Sequence, residues 1–227
     1  MKKDELIARW AKDFSLSPVD LGENARLRVG PMTFVLEQWK VEGVGNLSVM
    51  AGSALLGLMR MDTVILTPLD RDAPLFSYDR IRVPGADTML MELYDTQVEG
   101  TGCLEESLAA LEELKDSLGD IGDYSQGARW YDAIRLPQSL AKKGRGVSER
   151  LDAAALKAAG LYSALLGQAP RCGRGEKTEK TLDYVRGLLT HGGASTDLFV
   201  KKLGQSRTEY IFRHILFGVD GDGPRRG

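Results

Sequence analysis

From Met32 to about Val98, apolar and polar residues alternate in short runs separated by turn residues. This is the period-two pattern of half-buried strands. MTFVLEQWKV alternates, a Gly-Val-Gly-Asn turn follows, and LSVMAG leads on toward MDTVILTP. FSYDRIRV comes next, then a break at Pro84-Gly85 and the run TMLMELYDTQV. Sequential strands joined by short turns predict an antiparallel meander rather than βαβ units. Ahead of them, residues 1–14 place Leu6, Trp10 and Phe14 on one helical stripe.

After Gly100 the period becomes helical: LEESLAALEELKDSL, SERLDAAALKAAGLYSALLG, KTLDYVRGLL and RTEYIFRHILFG. Gly160 and Gly167 are expected to interrupt or end the second of these. The polar stretch GRGEKTEK at 173–180 reads as a loop, and GDGPRRG as a frayed tail. A sheet followed by helices predicts an α+β fold in one domain over 1–227. It divides into an N-terminal helix and sheet (about 1–100), helices and a further strand (101–218), and a tail (219–227).

Composition narrows the function. The 227 residues are 43% apolar and 27% charged, enough to bury a core and unlike a disordered chain. The net charge of −2 argues against a general nucleic-acid binder. Cys103 and Cys172 are too few for a disulfide scaffold or a four-cysteine metal site, and His191 and His214 too few for a histidine-rich one. No signal-like segment and no apolar run of about 18 residues is present, so a soluble, cytoplasmic protein with no membrane partner is expected.

The near-neutral total hides a segregation of charge. Between Glu92 and Asp132 eleven acids face only Lys115 and Arg129, whereas from Pro137 to Arg186 ten bases face five acids. Such bias either steers an acidic partner or decorates solvated helix faces. No strand–GxGxxG–helix unit, Walker A loop or GxSxG elbow occurs, and no cysteine has a histidine partner in sequence. Any catalysis therefore falls to carboxylates and arginines carried on the sheet.

PLFSYDRIRV is the segment richest in chemistry. Strand alternation puts Leu75, Ser77, Asp79, Ile81 and Val83 on one face and Phe76, Tyr78, Arg80 and Arg82 on the other. A carboxylate among apolar neighbours has its pKa raised and can hold a proton to donate near neutral pH. The structural alternative is an aspartate that caps a bulge or pairs with a nearby arginine.

The string DTVILTPLDRDAPLFSYDRI, followed by a Pro-Gly turn and TMLMELYDTQ, resembles the central strands of the ferredoxin-dependent bilin reductases. RWYDAIRLP is similar to that family's aromatic-rich segment ending in Ile-Arg-Pro, GEKTEKTLDYVRGLL to its Asp-Lys-Thr helix start, and EYIFRHILFG to its closing helix. The blocks keep the family's order and together cover about half the chain.

The resemblance implies a three-layer α/β/α sandwich with a central antiparallel sheet and a linear tetrapyrrole between sheet and C-terminal helices. It implies no metal or cofactor held by the protein. Electrons would come singly from reduced ferredoxin, an acidic partner suited to a basic face. Asp79 falls on the family's catalytic aspartate, Arg135 on an arginine that binds a propionate, and Lys180 on a lysine facing the other propionate.

Glu179 stands where many members carry an aspartate. It is either a second proton donor or a helix N-terminal acid favoured by the dipole. Seventeen residues before Asp79, Asp62 occupies the place of a catalytic histidine. It is a proton donor on the facing strand or a polar residue at the strand's start. Twelve residues earlier, Met50 replaces a glutamate. Met50 and Phe76 complete the expected substrate contacts. The stretch from His191 to Thr196 also departs from the family's aromatic helix. The missing histidine and glutamate leave a non-catalytic tetrapyrrole carrier as the alternative to a reductase, and a protein-binding sandwich domain as a third reading.

Overall fold

The computed structural model describes residues 3–100, 102–125, 127–193 and 195–219. The meander forms as the alternation predicts: β3 (Met32–Val41), β4 (Gly45–Ala54), β5 (Met59–Pro68), β6 (Leu75–Val83) and β7 (Ala86–Tyr94) pair in sequence, all antiparallel. β8 (Leu140–Gly144) adds to β7 as the further strand. Two short strands, β1 (Leu16–Pro18) and β2 (Arg26–Val29), both pair with β3 and complete an eight-stranded sheet. The sequence pattern does not reveal these two, which are too short to show a period.

Each face of the sheet is covered by helices, so the architecture is α+β in three layers. On one face α1 (Lys3–Trp10), α2 (Glu105–Asp116) and α3 (Ser148–Gln168) pack over Val49, Val64, Phe76, Met89 and Met91. On the other lie α4 (Arg174–His191), α5 (Thr196–Leu203), α6 (Gln205–Tyr210) and a π-helical turn at Ile211–Leu216. Their apolar sides meet Phe34, Leu36, Met50, Ile65 and Leu75. Among the described residues no helix is long and apolar enough to cross a membrane.

Three local expectations change. α3 runs unbroken through Gly160, where the chain is packed against α1: the Trp10 indole N–H donates to the Ala159 carbonyl at 3.2 Å, and a Cβ on Gly160 would meet the Arg9 guanidinium at 3.3 Å. The polar stretch at 173–180 is the start of α4 rather than a loop, because its Lys177 is fully buried. The Lys177 ammonium donates to the carbonyls of Ala73 (2.6 Å) and Thr96 (2.7 Å) and lies 3.8 Å from Asp72. Burial lowers its pKa to about 8 despite Asp72. Val219, assigned to the tail, is buried and its N–H donates to the Arg213 carbonyl; 220–227 lie outside the described residues.

The π-turn is clamped to the sheet. Asn46 donates to the carbonyls of Ile215 and Leu216, and the Ser48 hydroxyl to that of Leu216 at 2.7 Å. Gly218 follows with φ +62°, and a Cβ there would strike Asn46. A π-turn leaves carbonyls without helical donors, and these two strand side chains satisfy them.

Candidate active site

Strand register decides which side chains meet. Leu36, Met50, Thr63, Asp79, Leu90 and Ala141 are successive cross-strand partners from β3 to β8. Directly paired residues share a face, and Leu36 and Met50 belong to the core under the C-terminal helices. Asp79 therefore points into that layer. It is half-buried, and its carboxylate accepts a hydrogen bond from the Thr63 hydroxyl at 2.5 Å. Burial raises its pKa to about 6, the charge of Glu92 adds to the rise, and the Thr63 donor opposes it.

Glu92 is the second carboxylate on this face. It pairs with Ser77, which makes it the diagonal neighbour of Asp79. Only 6% exposed, it accepts from the Tyr94 hydroxyl at 2.8 Å and from Arg135 Nη1 at 3.2 Å. Arg135 spans to Asp132 with its other nitrogen at 3.0 Å. Its backbone is fixed by a bridge to Tyr94, just after a 3₁₀ turn at Trp130–Ala133.

Aromatic rings wall the pair. Tyr94 stacks on Tyr184 of α4 at 4.6 Å, and Tyr131 meets Tyr94 edge-on at 5.6 Å. Burial holds both the Tyr94 and Tyr184 phenols far above their ordinary pKa, so they remain neutral. The Trp130 indole N–H donates to the Gly192 carbonyl at 2.9 Å and ties this wall to the end of α4. Glu92, Leu90, Tyr131, Asp132 and Arg135 line a cleft of about 480 Å³ at the β7–β8 side of the sheet. A wider one of about 1080 Å³ opens over β1 and β3, between Gln38, Asn46, Arg174, Tyr210 and His214. Among the described residues no group of three or more His, Cys, Asp or Glu is placed to hold a metal ion.

The sequence-derived residues divide. Asp79 and Met50 stand in one row, and Arg135 reaches the same face through Glu92. Asp62 does not share that face. The register sets Thr63 opposite Asp79, sixteen positions back rather than seventeen, and a step of one residue turns a strand side chain to the other side. Asp62 faces the N-terminal layer, 3.5 Å from Arg82, with its pKa raised by burial against the pull of that cation.

Phe76 also points away from Asp79, into the opposite core, 5.5 Å from the Trp10 ring and 4.9 Å from Tyr162. Glu179 and Lys180 lie on the exposed side of α4, and Glu179 pairs with Arg186 at 3.3 Å. The Glu-Lys-Thr triplet occurs twice, at 176–178 and 179–181. The helical repeat turns Lys177, Thr181 and Tyr184 inward and carries Glu179 and Lys180 out.

Thr63, Glu92, Tyr94 and Tyr184 also belong to the site; each lies within a string that carries the family resemblance, but at a position to which the resemblance assigns no role. The signal for Glu92 is nonetheless present: in TMLMELY it alternates in phase with Leu90 and Tyr94, the same pattern that singles out Asp79.

The folded state prefers protonated Asp79, since its pKa of about 6 lies above the ordinary 3.8. Stability tied to this group is intact below pH 3.8 and falls as pH rises through 6. Asp79→Asn is therefore expected to melt higher than wild type at pH 7.5, by about 1–3 kcal/mol, the gap narrowing steadily below pH 6. Equal melting of both proteins across this range would contradict the burial of a charged form.

The fold places the chain among antiparallel α/β/α sandwiches of known structure. One protein of this fold to which the chain is similar is phytochromobilin synthase from tomato, solved in complex with biliverdin. The TM-score is 0.74 at 10% identity, over 94% of this chain and 80% of that one. At that identity the likeness is one of fold. No protein-family model and no curated protein matches the sequence.

Proposed function

We propose that this protein reduces a double bond of a linear tetrapyrrole, taking single electrons from ferredoxin and delivering protons from the pocket carboxylates. Each reduced C=C gains two electrons and two protons and becomes CH–CH. The pigment accepts the electrons itself, so the chain's share is to bind, orient and protonate. One observation carries the reading: a carboxylic acid with a pKa of about 6 stands on the sheet face beneath the C-terminal helices. Such a group gains and loses its proton far closer to neutral pH than an ordinary aspartate, as a general acid must. Arg135, with a planar fork of donors at the cleft, suits a propionate, and Met50 supplies apolar surface in the row of Asp79. The shared fold with a biliverdin-bound protein supports the substrate class.

A second reading, a tetrapyrrole carrier without chemistry, is favoured by Thr63 and Met50, since the next two positions along the row from Asp79 carry no ionisable group. One experiment separates the two. Biliverdin is titrated into the protein under anaerobic conditions and followed by absorbance, then reduced ferredoxin is added. A reductase shifts the pigment spectrum on binding and again on reduction. A carrier shows only the first change, and no spectral change at all defeats both readings.

A further inference from the structure

Arg135 is held by two carboxylates of the protein itself, and they are not equivalent. Asp132 is about one-third exposed and three residues away in the chain. Glu92 is buried and shares its face with Asp79. An incoming carboxylate can take the place of Asp132 at little cost, because an exposed ion pair contributes little. Drawing the guanidinium away from Glu92 has a different consequence. It leaves a buried anion diagonal to Asp79, a separation of about 7–8 Å between strand positions, with less countercharge.

We propose that Glu92 is a positioning residue that couples the cleft to the proton donor: a ligand carboxylate that draws Arg135 away exposes Asp79 to the charge of Glu92, and Asp79 holds its proton more firmly. Ligand binding would thus load the acid before reduction begins. This inference rests on the reductase reading for its purpose, though not for its test.

The surroundings of Glu92 are consistent with that role. From its own strand Tyr94 donates to it, and Tyr184 of α4 stacks on that phenol. From the 3₁₀ turn Tyr131 and Asp132 approach with Arg135, and Arg129 acts on Tyr131. From β6 comes Asp79 itself. Lys115, Asp123 and Lys142 also line the cleft, and each has a partner of its own: Lys115 bonds Glu112 and the Pro137 carbonyl, and Lys142 bonds Asp123 at 2.7 Å. Arg135 is the cation that ion-pairs with Glu92.

The test is an infrared titration of the Asp79 carboxyl band, assigned by its loss in Asp79→Asn, on full-length protein without ligand. Glu92→Gln, which still accepts from Tyr94, is expected to lower the midpoint by about one pH unit. Arg135→Gln is expected to raise it by a similar amount. The double variant should return close to Glu92→Gln alone, since Arg135 acts only through Glu92. A purely structural pair would shift both single variants the same way or neither, and either result overturns the proposal.

A second arm adds biliverdin. The midpoint should rise in wild type and stay put in Arg135→Gln. Bound biliverdin without that rise also overturns it. Failure of biliverdin to bind counts against the reductase reading, while the ligand-free titration still decides the coupling.

Discussion

Asp79→Asn is expected to bind biliverdin as wild type does and to reduce it about 10²- to 10⁴-fold more slowly, the usual cost of removing a general acid. The substitution is nearly isosteric. The amide oxygen it introduces still accepts from Thr63, so the row of side chains under the C-terminal helices keeps its shape. What is lost is one exchangeable proton, at the place where burial lifts the pKa of a carboxylic acid to about 6. The pH dependence carries the sign of that role. With Asp79 as the donor of the proposed reaction, kcat/KM of wild type should decline as pH rises through about 6, and the residual rate of the variant should be flat there. Anaerobic turnover with reduced ferredoxin, monitored by pigment absorbance, checks both statements. Full activity in Asp79→Asn would remove this residue from the chemistry. Loss of binding along with turnover would make it a ligand contact instead.

The central strands are readable without coordinates, because burial on both faces makes them long apolar segments. β4 to β7 carry long apolar runs cut by turn residues, so their existence, order and antiparallel sense follow from pattern and loop length alone. Residue-level placement is less legible. The face of Asp79 follows correctly from the pattern, because it needs only the parity within one strand. Asp62 requires a count across a connection whose register is set by a hydrogen-bond ladder, and a shift of one residue exchanges it for Thr63.

The duplicated Glu-Lys-Thr triplet poses the same difficulty on a helix. Only tertiary packing decides which copy turns inward, and Ala73 and Thr96, remote in sequence from Lys177, make that choice. Glu92 is obscured by its neighbours rather than by its own position. An acid inside an acidic stretch reads as solvated, although its alternation with Leu90 and Tyr94 marks the buried side.

The largest stability effect is expected at Arg80, on the face away from Asp79. Its guanidinium is 1% exposed and grips Asp87 with two bonds, Nε to Oδ1 at 2.5 Å and Nη2 to Oδ2 at 2.7 Å. Ser148, the first residue of α3, donates its hydroxyl to the same carboxylate, and its carbonyl lies 3.3 Å from Arg80 Nη2. The pair thus pins the start of α3 to β6 and β7. Burial alone would raise the pKa of Asp87, but the hydrogen bonds from Arg80 and Ser148 outweigh it and hold the carboxyl below its ordinary value.

Arg80→Met removes the cation and leaves Asp87 buried with a single hydroxyl donor. The expected cost is about 3–5 kcal/mol, the range for breaking one side of a buried pair. The carboxyl must then rise toward protonation. Because a depressed pKa stabilises above the unfolded value of 3.8 and fails as pH drops through the folded one, the variant should have lost that contribution already at pH 7. Its deficit in urea midpoint should therefore shrink toward acid, where wild type loses the same contribution. Adding Asp87→Leu to Arg80→Met should recover much of the stability, since the uncompensated charge and not the missing contact is the main penalty. A double variant as unstable as Arg80→Met alone would instead place the energy in the packing of the arginine stem.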